Sequence, residues 1–297
     1  MPVLTATADA TGVATVLPPY SLADGTYAVS ARQVVGGVQG PLSAPVVFSM
    51  PNAAKSATLA LIARMSAAPP AGRAEAIYAA VSGIMAAGVW PKMDVLSLQA
   101  AHHEQAGRLN WIGPAYDLAG YNSPIFAADR GFKGDGASAY LEASGYNPSA
   151  GGTRYALNDA CAGLWVLTPN TLSGGIDLYM GNTRLDRRTT LNDHYHVRIN
   201  DGTTAYGSGG DVGGFFGADR PNSATKLLFR NGTLNASLAT ASTANAPYLR
   251  VLGTGTGIYS NVEVAAAFAG ASLTDAQHAA LYAALRTYLL AVGALSA

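Results

Sequence analysis

The turn that most constrains this chain is Asn231-Gly232. It separates the apolar-rich run Lys226-Leu-Leu-Phe-Arg230 from a second short run, Thr233-Leu-Asn-Ala-Ser237. A two-residue Asn-Gly turn admits positive φ at both central positions, and its twist then matches two antiparallel strands. The segment is therefore committed to an antiparallel sheet. Downstream, Tyr248-Leu-Arg-Val-Leu252 and the run from Asn261 to Phe268 read as further strands. Leu273-Thr-Asp-Ala-Gln277 then opens a helix: Thr274 can cap it, and Gln277, three residues on, can reach back to complete a capping box.

The 297 residues suffice for one large β domain or two to three smaller ones. Hydrophobic residues make up 49%, but many are alanine, which buries little area per residue. Only 12% are charged, against a usual share of about 25%. The 18 basic and 18 acidic residues cancel, so no basic footprint for nucleic acid exists. A surface poor in Lys and Glu and rich in Ser, Thr, Asn and Gly fits proteins that work outside cells or on particles. The single Cys161 excludes an internal disulfide and a cysteine-rich metal site, and reads as a small buried hydrophobe. No signal peptide is visible after Met1. The Ala/Leu-rich C-terminal segment is interrupted by His278 and Arg286, so membrane insertion is not expected and the chain reads as soluble.

In order, residues 1–50 read as short strands and turns, with Thr26-Tyr-Ala-Val-Ser30 alternating at period two and Pro45 suited to an edge strand. Residues 51–91 turn helical. The second helix carries Ile77, Val81, Ile84 and Met85 on one stripe and ends at Gly88. This pair is expected to form a hinge or collar, with a trimerisation neck as the alternative. From Trp90 the β pattern returns. Met93–Leu98, Cys161–Leu167, Ile176–Met180 and His194–Asn200 read as strands, and residues 201–223 as a glycine-rich loop.

Three fragments stand in an informative order. Gly131-Phe-Lys-Gly-Asp-Gly-Ala-Ser-Ala-Tyr-Leu-Glu142, Gly163-Leu-Trp-Val-Leu167, and the closing hairpin, strands and helix resemble a laminin-G/concanavalin A-like jelly roll over about residues 92–290. Asp24-Gly-Thr-Tyr-Ala-Val-Ser-Ala31 and Ser43-Ala-Pro-Val-Val-Phe48 resemble the last strands of a bacterial Ig-like repeat, present here only in part. Segments such as Trp90-Pro-Lys-Met-Asp-Val-Leu96, Ala100-Ala-His-His-Glu-Gln-Ala-Gly-Arg-Leu-Asn-Trp111 and Ala128-Asp-Arg-Gly-Phe132 are similar to phage and prophage tail appendage proteins. The resemblance implies a mainly β chain: an Ig-like segment (1–50), a helical connector (51–91) and an antiparallel jelly-roll sandwich with a terminal helix (92–297). It also implies a virion location, other virion proteins as partners, and a homo-oligomer, a trimer among the options.

Candidate chemistry is sparse. Jelly-roll glycosidases use two carboxylates about 5–9 Å apart. Glu75, Glu104, Glu142 and Glu263 lie far apart in sequence, and the Glu-x-Asp-x-x-Glu signature of laminarinase-like hydrolases is absent. The expectation is a non-enzymatic protein, with a capsule depolymerase (hydrolase or lyase) as the alternative. In Asp193-His194-Tyr195-His196 the two histidines share a strand face, but the third ligand a metal needs is missing. His102-His103 reads as structural. Calcium is the one cofactor left open, through Asp135, Asp211 and Asp219 in glycine-rich loops. Sugar recognition calls for aromatic faces flanked by hydrogen-bonding side chains. The stretch holding Tyr195, His196, Tyr206, Phe215, Asp219 and Arg220 has that composition, and these six form the expected glycan site. Phe216 shares the stretch, and Trp165 is expected in the core. The expected role is attachment to a host-surface polysaccharide or other receptor, with a purely structural virion part as the alternative.

Overall fold

A computed structural model describes residues 25–30, 34–35, 38–50, 52–168, 175–188, 194–209, 213–244 and 246–296. The chain divides into two compact units, 1–55 and 56–297. In the first, strand β1 (Gly25–Val29) pairs antiparallel with β4 (Val46–Met50), and β2 (Val34–Val35) pairs with β3 (Val38–Gln39). The strands read before residue 25 lie outside the described residues.

The second unit begins in helix α1 (Asn52–Ala63), followed by α2 (Arg73–Ala86), β5 (Met93–Leu98) and the short α3 (Glu104–Arg108). Next come β6 (Leu118–Tyr121), β7 (Ile125–Ala127), β8 (Gly131–Lys133), β9 (Tyr140–Ala143) and β10 (Ala160–Thr168). Then follow β11 (Leu178–Met180), β12 (Thr183–Arg188), β13 (His194–Arg198), β14 (Ala205–Ser208) and β15 (Gly214–Arg220). The chain closes with β16 (Thr225–Arg230), β17 (Thr233–Ala239), β18 (Arg250–Val251), β19 (Glu263–Gly270) and α4 (Asp275–Ala291).

Among the described residues these strands form two antiparallel sheets. One has eight strands in the order β17-β16-β15-β10-β19-β8-β7, with β5 also on β19; the other has seven, β14-β13-β12-β11-β18-β9-β6. The fold is the expected mainly β, concanavalin-like jelly-roll sandwich with a terminal helix. Strand periodicity divides each sheet into two faces. From the eight-stranded sheet Leu164, Phe216, Leu228 and Val264 point inward; from the seven-stranded sheet Leu141, Leu178, Leu185, Tyr195, Val197 and Val251 meet them in one buried core.

The alternate residues of the eight-stranded sheet are buried as well, because helices cover its back. Trp165 stacks on Tyr282 of α4 at 5.3 Å, Phe229 stacks on His278 at 3.7 Å, and Phe215 meets Tyr282 edge-on at 6.0 Å. Helix α2 packs on α4, and its stripe of Ile77, Val81 and Ile84 is buried there. Small residues permit the approach: a Cβ on Gly83 would lie 3.6 Å from that of Ala284. Arg73 ties the pair down, 2.7 Å from Asp129 and over the Tyr288 ring. The helices are thus part of the sandwich body. Because the α2 stripe is already covered within the chain, it is not free to build a trimerisation neck, and the hinge-or-collar expectation is corrected.

The expected hairpin is present, with Asn231 at φ 50° and Gly232 at φ 76°. The capping box is also present: Thr274 accepts from the Gln277 N–H at 3.2 Å, and the Gln277 side chain accepts from the Thr274 N–H at 3.1 Å. Thr274→Ala should cost about 1 kcal/mol, a fall of about 3 °C in a thermal melt for a body of this size.

Residues 201–223 are not the expected loop. They contain β14 and β15, and β15 is a fully buried inner strand. A Cβ on Gly217 would lie 3.4 Å from the His278 ring, and Gly214 has φ 142°, a conformation that side chains rarely adopt. Glycine here marks a close approach of α4 at Gly217 and a positive φ at Gly214, and not a break in the chain.

Candidate functional site

The back of the seven-stranded sheet carries no described helix, and its chemistry differs from that of the other faces. Its outward positions form one row across six strands, Arg198–Arg184–Tyr179–Arg250–Glu142–Ala119, in successive register pairs. Beside it lie Tyr206–His196–Asp186 and Tyr140–Tyr121. The face is rich in tyrosine and arginine because each strand alternates apolar residues inward with these residues outward.

At its centre Arg250 organises two aromatic groups. Tyr121 and Tyr140 stack at 4.7 Å with planes 4° apart, and Tyr259 adjoins Tyr140 at 6.4 Å. Tyr179 and Tyr248 lie 5.8 Å apart. The Arg250 guanidinium lies 4.1 Å from the Tyr248 ring centre and 5.4 Å from that of Tyr140, joining the groups by cation–π contact. It is held by Glu142, with Nε 2.5 Å from Oε2, and by the Thr254 carbonyl. Burial works against its charge, but the hydrogen bond and charge of Glu142 outweigh this and raise its pKa. Burial also raises the Tyr140 and Tyr248 phenols, the latter helped by its hydrogen bond to Tyr179, so both stay neutral hydrogen-bonding groups at neutral pH. Tyr121 is 42% exposed. The result is an aromatic surface of fixed side chains, able to stack on sugar C–H faces while hydroxyls, Glu142 and Arg250 address sugar oxygens. Because the rings are already ordered, little side-chain entropy is lost on binding.

Most of the sequence-expected site lies elsewhere. Tyr195 points inward against Phe216 at 5.1 Å, and burial raises its hydroxyl pKa. Phe215 is stacked on Phe268 at 5.4 Å beneath α4. Asp219 is buried, accepting from the Ser272 hydroxyl at 2.6 Å and the Leu273 N–H at 2.7 Å, with His278 Nε2 at 3.0 Å. Arg220 is wholly buried against Asp201. These four hold the sandwich together and cannot meet a glycan from outside.

His196 and Tyr206 do share the outward face, their rings 4.8 Å apart. His196 is only 5% exposed, its Nδ1 3.1 Å from Asp186 Oδ1, whereas Tyr206 is 57% exposed. Asp193 and Asp211 lie outside the described residues. Of the other calcium candidates, Asp219 is committed to its buried contacts. Asp135 spends Oδ1 on the N–H groups of Ala137, Ser138 and Ala139 and Oδ2 on the Ser138 hydroxyl, which holds its carboxyl well below the usual range although burial opposes this. No group of three or more His, Cys, Asp or Glu that could hold a metal exists among the described residues. His103 caps α3, and His102 Nε2 lies 3.0 Å from the Ala67 carbonyl oxygen.

The tyrosine face had a signal that sequence reasoning passed over. In Tyr140-Leu-Glu142, Leu178-Tyr-Met180 and Tyr248-Leu-Arg250 the aromatic or charged residue takes the parity opposite the core.

No family model matches the sequence, and neither does any curated protein. Solved structures do match. A mutant of Trypanosoma rangeli sialidase displaying trans-sialidase activity is 10% identical, with TM-score 0.51 over 73% of this chain and 40% of that one. The ligand-binding domain of botulinum neurotoxin serotype D, solved with N-acetylneuraminic acid, is 12% identical, with TM-score 0.48 over 68% and 52%. The chain spans about two fifths of the sialidases' length. The expectation of a non-enzymatic protein is corrected by the first of these matches, because the sandwich architecture is shared with a sialidase displaying trans-sialidase activity.

Proposed function

We propose that this chain is a glycan-binding part of a phage virion appendage, and that the outer face of its seven-stranded sheet meets the host-surface polysaccharide. The observation that carries this reading is the set of five tyrosines, residues 121, 140, 179, 248 and 259, arranged around Arg250 on the one sheet face that no described helix covers. Aromatic side chains ordered on a rigid scaffold suit a ligand with alternating apolar C–H and polar hydroxyl faces. The sparsely charged composition supports work on a particle, and the sandwich is an architecture shared with a sialidase. The N-terminal unit is assigned as a partial Ig-like segment linking the sandwich to other virion proteins. Several copies on one particle would raise the apparent affinity of a weak single site.

Purified chain added in excess to host cells should block adsorption of particles that carry it. Unchanged adsorption at saturating protein would contradict the reading.

A further inference from the structure

On the opposite sheet, where β10 ends and β15 begins, a cavity of about 340 Å³ opens under the last turns of α4. We propose that it binds a small organic ligand through a carboxylate. The size lies within the range of small-molecule sites, about 300–1,000 Å³.

Its walls include Trp165, Tyr282, Asn231, Arg286 and the backbone of Gly213 and Gly214. Trp165 is 3% exposed, fixed by its stack on Tyr282 and by Phe215 edge-on at 6.2 Å, yet its indole N–H has no hydrogen-bond partner. A buried donor left unpaired is costly, and a ligand acceptor would remove that cost. Asn231 Oδ1 accepts from the Phe215 N–H at 3.1 Å and from Arg230, so the amide presents its NH₂ as a donor. Arg286 adds a guanidinium, and no Asp or Glu is among the described residues that line the cavity. The wall is bare backbone at Gly213 because a Cβ there would sit 2.9 Å from the carbonyl oxygens of Val166 and Leu167.

The donors among the described lining residues favour an anion. The planar guanidinium matches a carboxylate, and the aromatic wall favours an organic ligand over an inorganic ion. The site lies on the helix-covered sheet and is independent of the tyrosine face.

The test is a titration of the whole chain followed by ¹H–¹⁵N correlation spectra, with Trp165→Phe used to identify the Trp165 indole signal. Sodium glucuronate should move that signal saturably at millimolar concentration. Arg286→Ala, an exposed position, should weaken the effect at least tenfold, whereas Tyr140→Ala should leave it unchanged. An acetate effect equal to that of glucuronate supports the site with a simple carboxylate as its source; a weaker one supports it with an acidic sugar. A signal that does not move, or that glucose or inorganic phosphate moves equally, would overturn the proposal.

Discussion

Asp201→Ala should be the most damaging single substitution in the sandwich. Asp201 follows β13 of the seven-stranded sheet, whereas Arg220 and Lys226 belong to β15 and β16 of the other sheet. All three are at most 1% exposed. The Asp201 carboxylate pairs with the Arg220 guanidinium, and Lys226 Nζ lies 2.9 and 3.1 Å from its two oxygens. Arg220 also donates to the Ile199 carbonyl at 2.6 Å and the Thr240 carbonyl at 3.0 Å, and Lys226 donates to Thr203.

Burial already lowers the Lys226 pKa, and the hydrogen bond and charge of Asp201 oppose that fall. Removing the carboxylate leaves two uncompensated cations in a dry interior. Lysine can shed its proton, but arginine cannot. Breaking a buried pair of this kind costs about 3–5 kcal/mol, equivalent to a melting temperature lower by on the order of 10 °C. Asp201→Asn, which keeps the shape and one acceptor, should fall between the variant and the native chain. A melt of Asp201→Ala within a degree or two of native would show that the two sheets are not tied together at this point.

The second large effect is on binding. Tyr140→Ala with Tyr248→Ala removes a ring from each aromatic group and takes both cation–π partners from Arg250. Polysaccharide binding should weaken at least tenfold, about 1.4 kcal/mol, the scale on which buried aromatic anchors dominate an interface. Both tyrosines are half-buried outside the core, so the melting temperature should fall by only a few degrees. Arg220→Ala or Tyr195→Ala would weaken binding only by unfolding the sandwich, so each loss would be matched in the melt. That contrast separates the tyrosine face from the site the sequence suggested.

What the sequence made legible was what local chemistry decides. The Asn231-Gly232 turn requires two residues with positive φ, and the Thr274 capping box requires only four consecutive positions, so both could be read directly. The tryptophan strand and the terminal helix followed from composition and period. Residues 214–220 could not be read that way. Gly217 faces His278 of a distant helix and Gly214 faces Arg230 of the neighbouring strand, so a buried inner strand carried the composition of a loop. The misplaced site followed from that error, since Phe215, Asp219 and Arg220 were assigned to a surface they do not reach. The tyrosine face was missed for the opposite reason: its residues are scattered from 121 to 259, and only strand register brings them together.

Footprinting of the chain with hydroxyl radicals, with and without host-surface polysaccharide, shows which sheet face meets the glycan. Tyr121, Tyr140 and Tyr248 on the seven-stranded sheet should be protected, with Tyr282 over the other sheet unchanged. Protection confined to the helix-covered side, or none at saturating polysaccharide, would contradict binding at the tyrosine face.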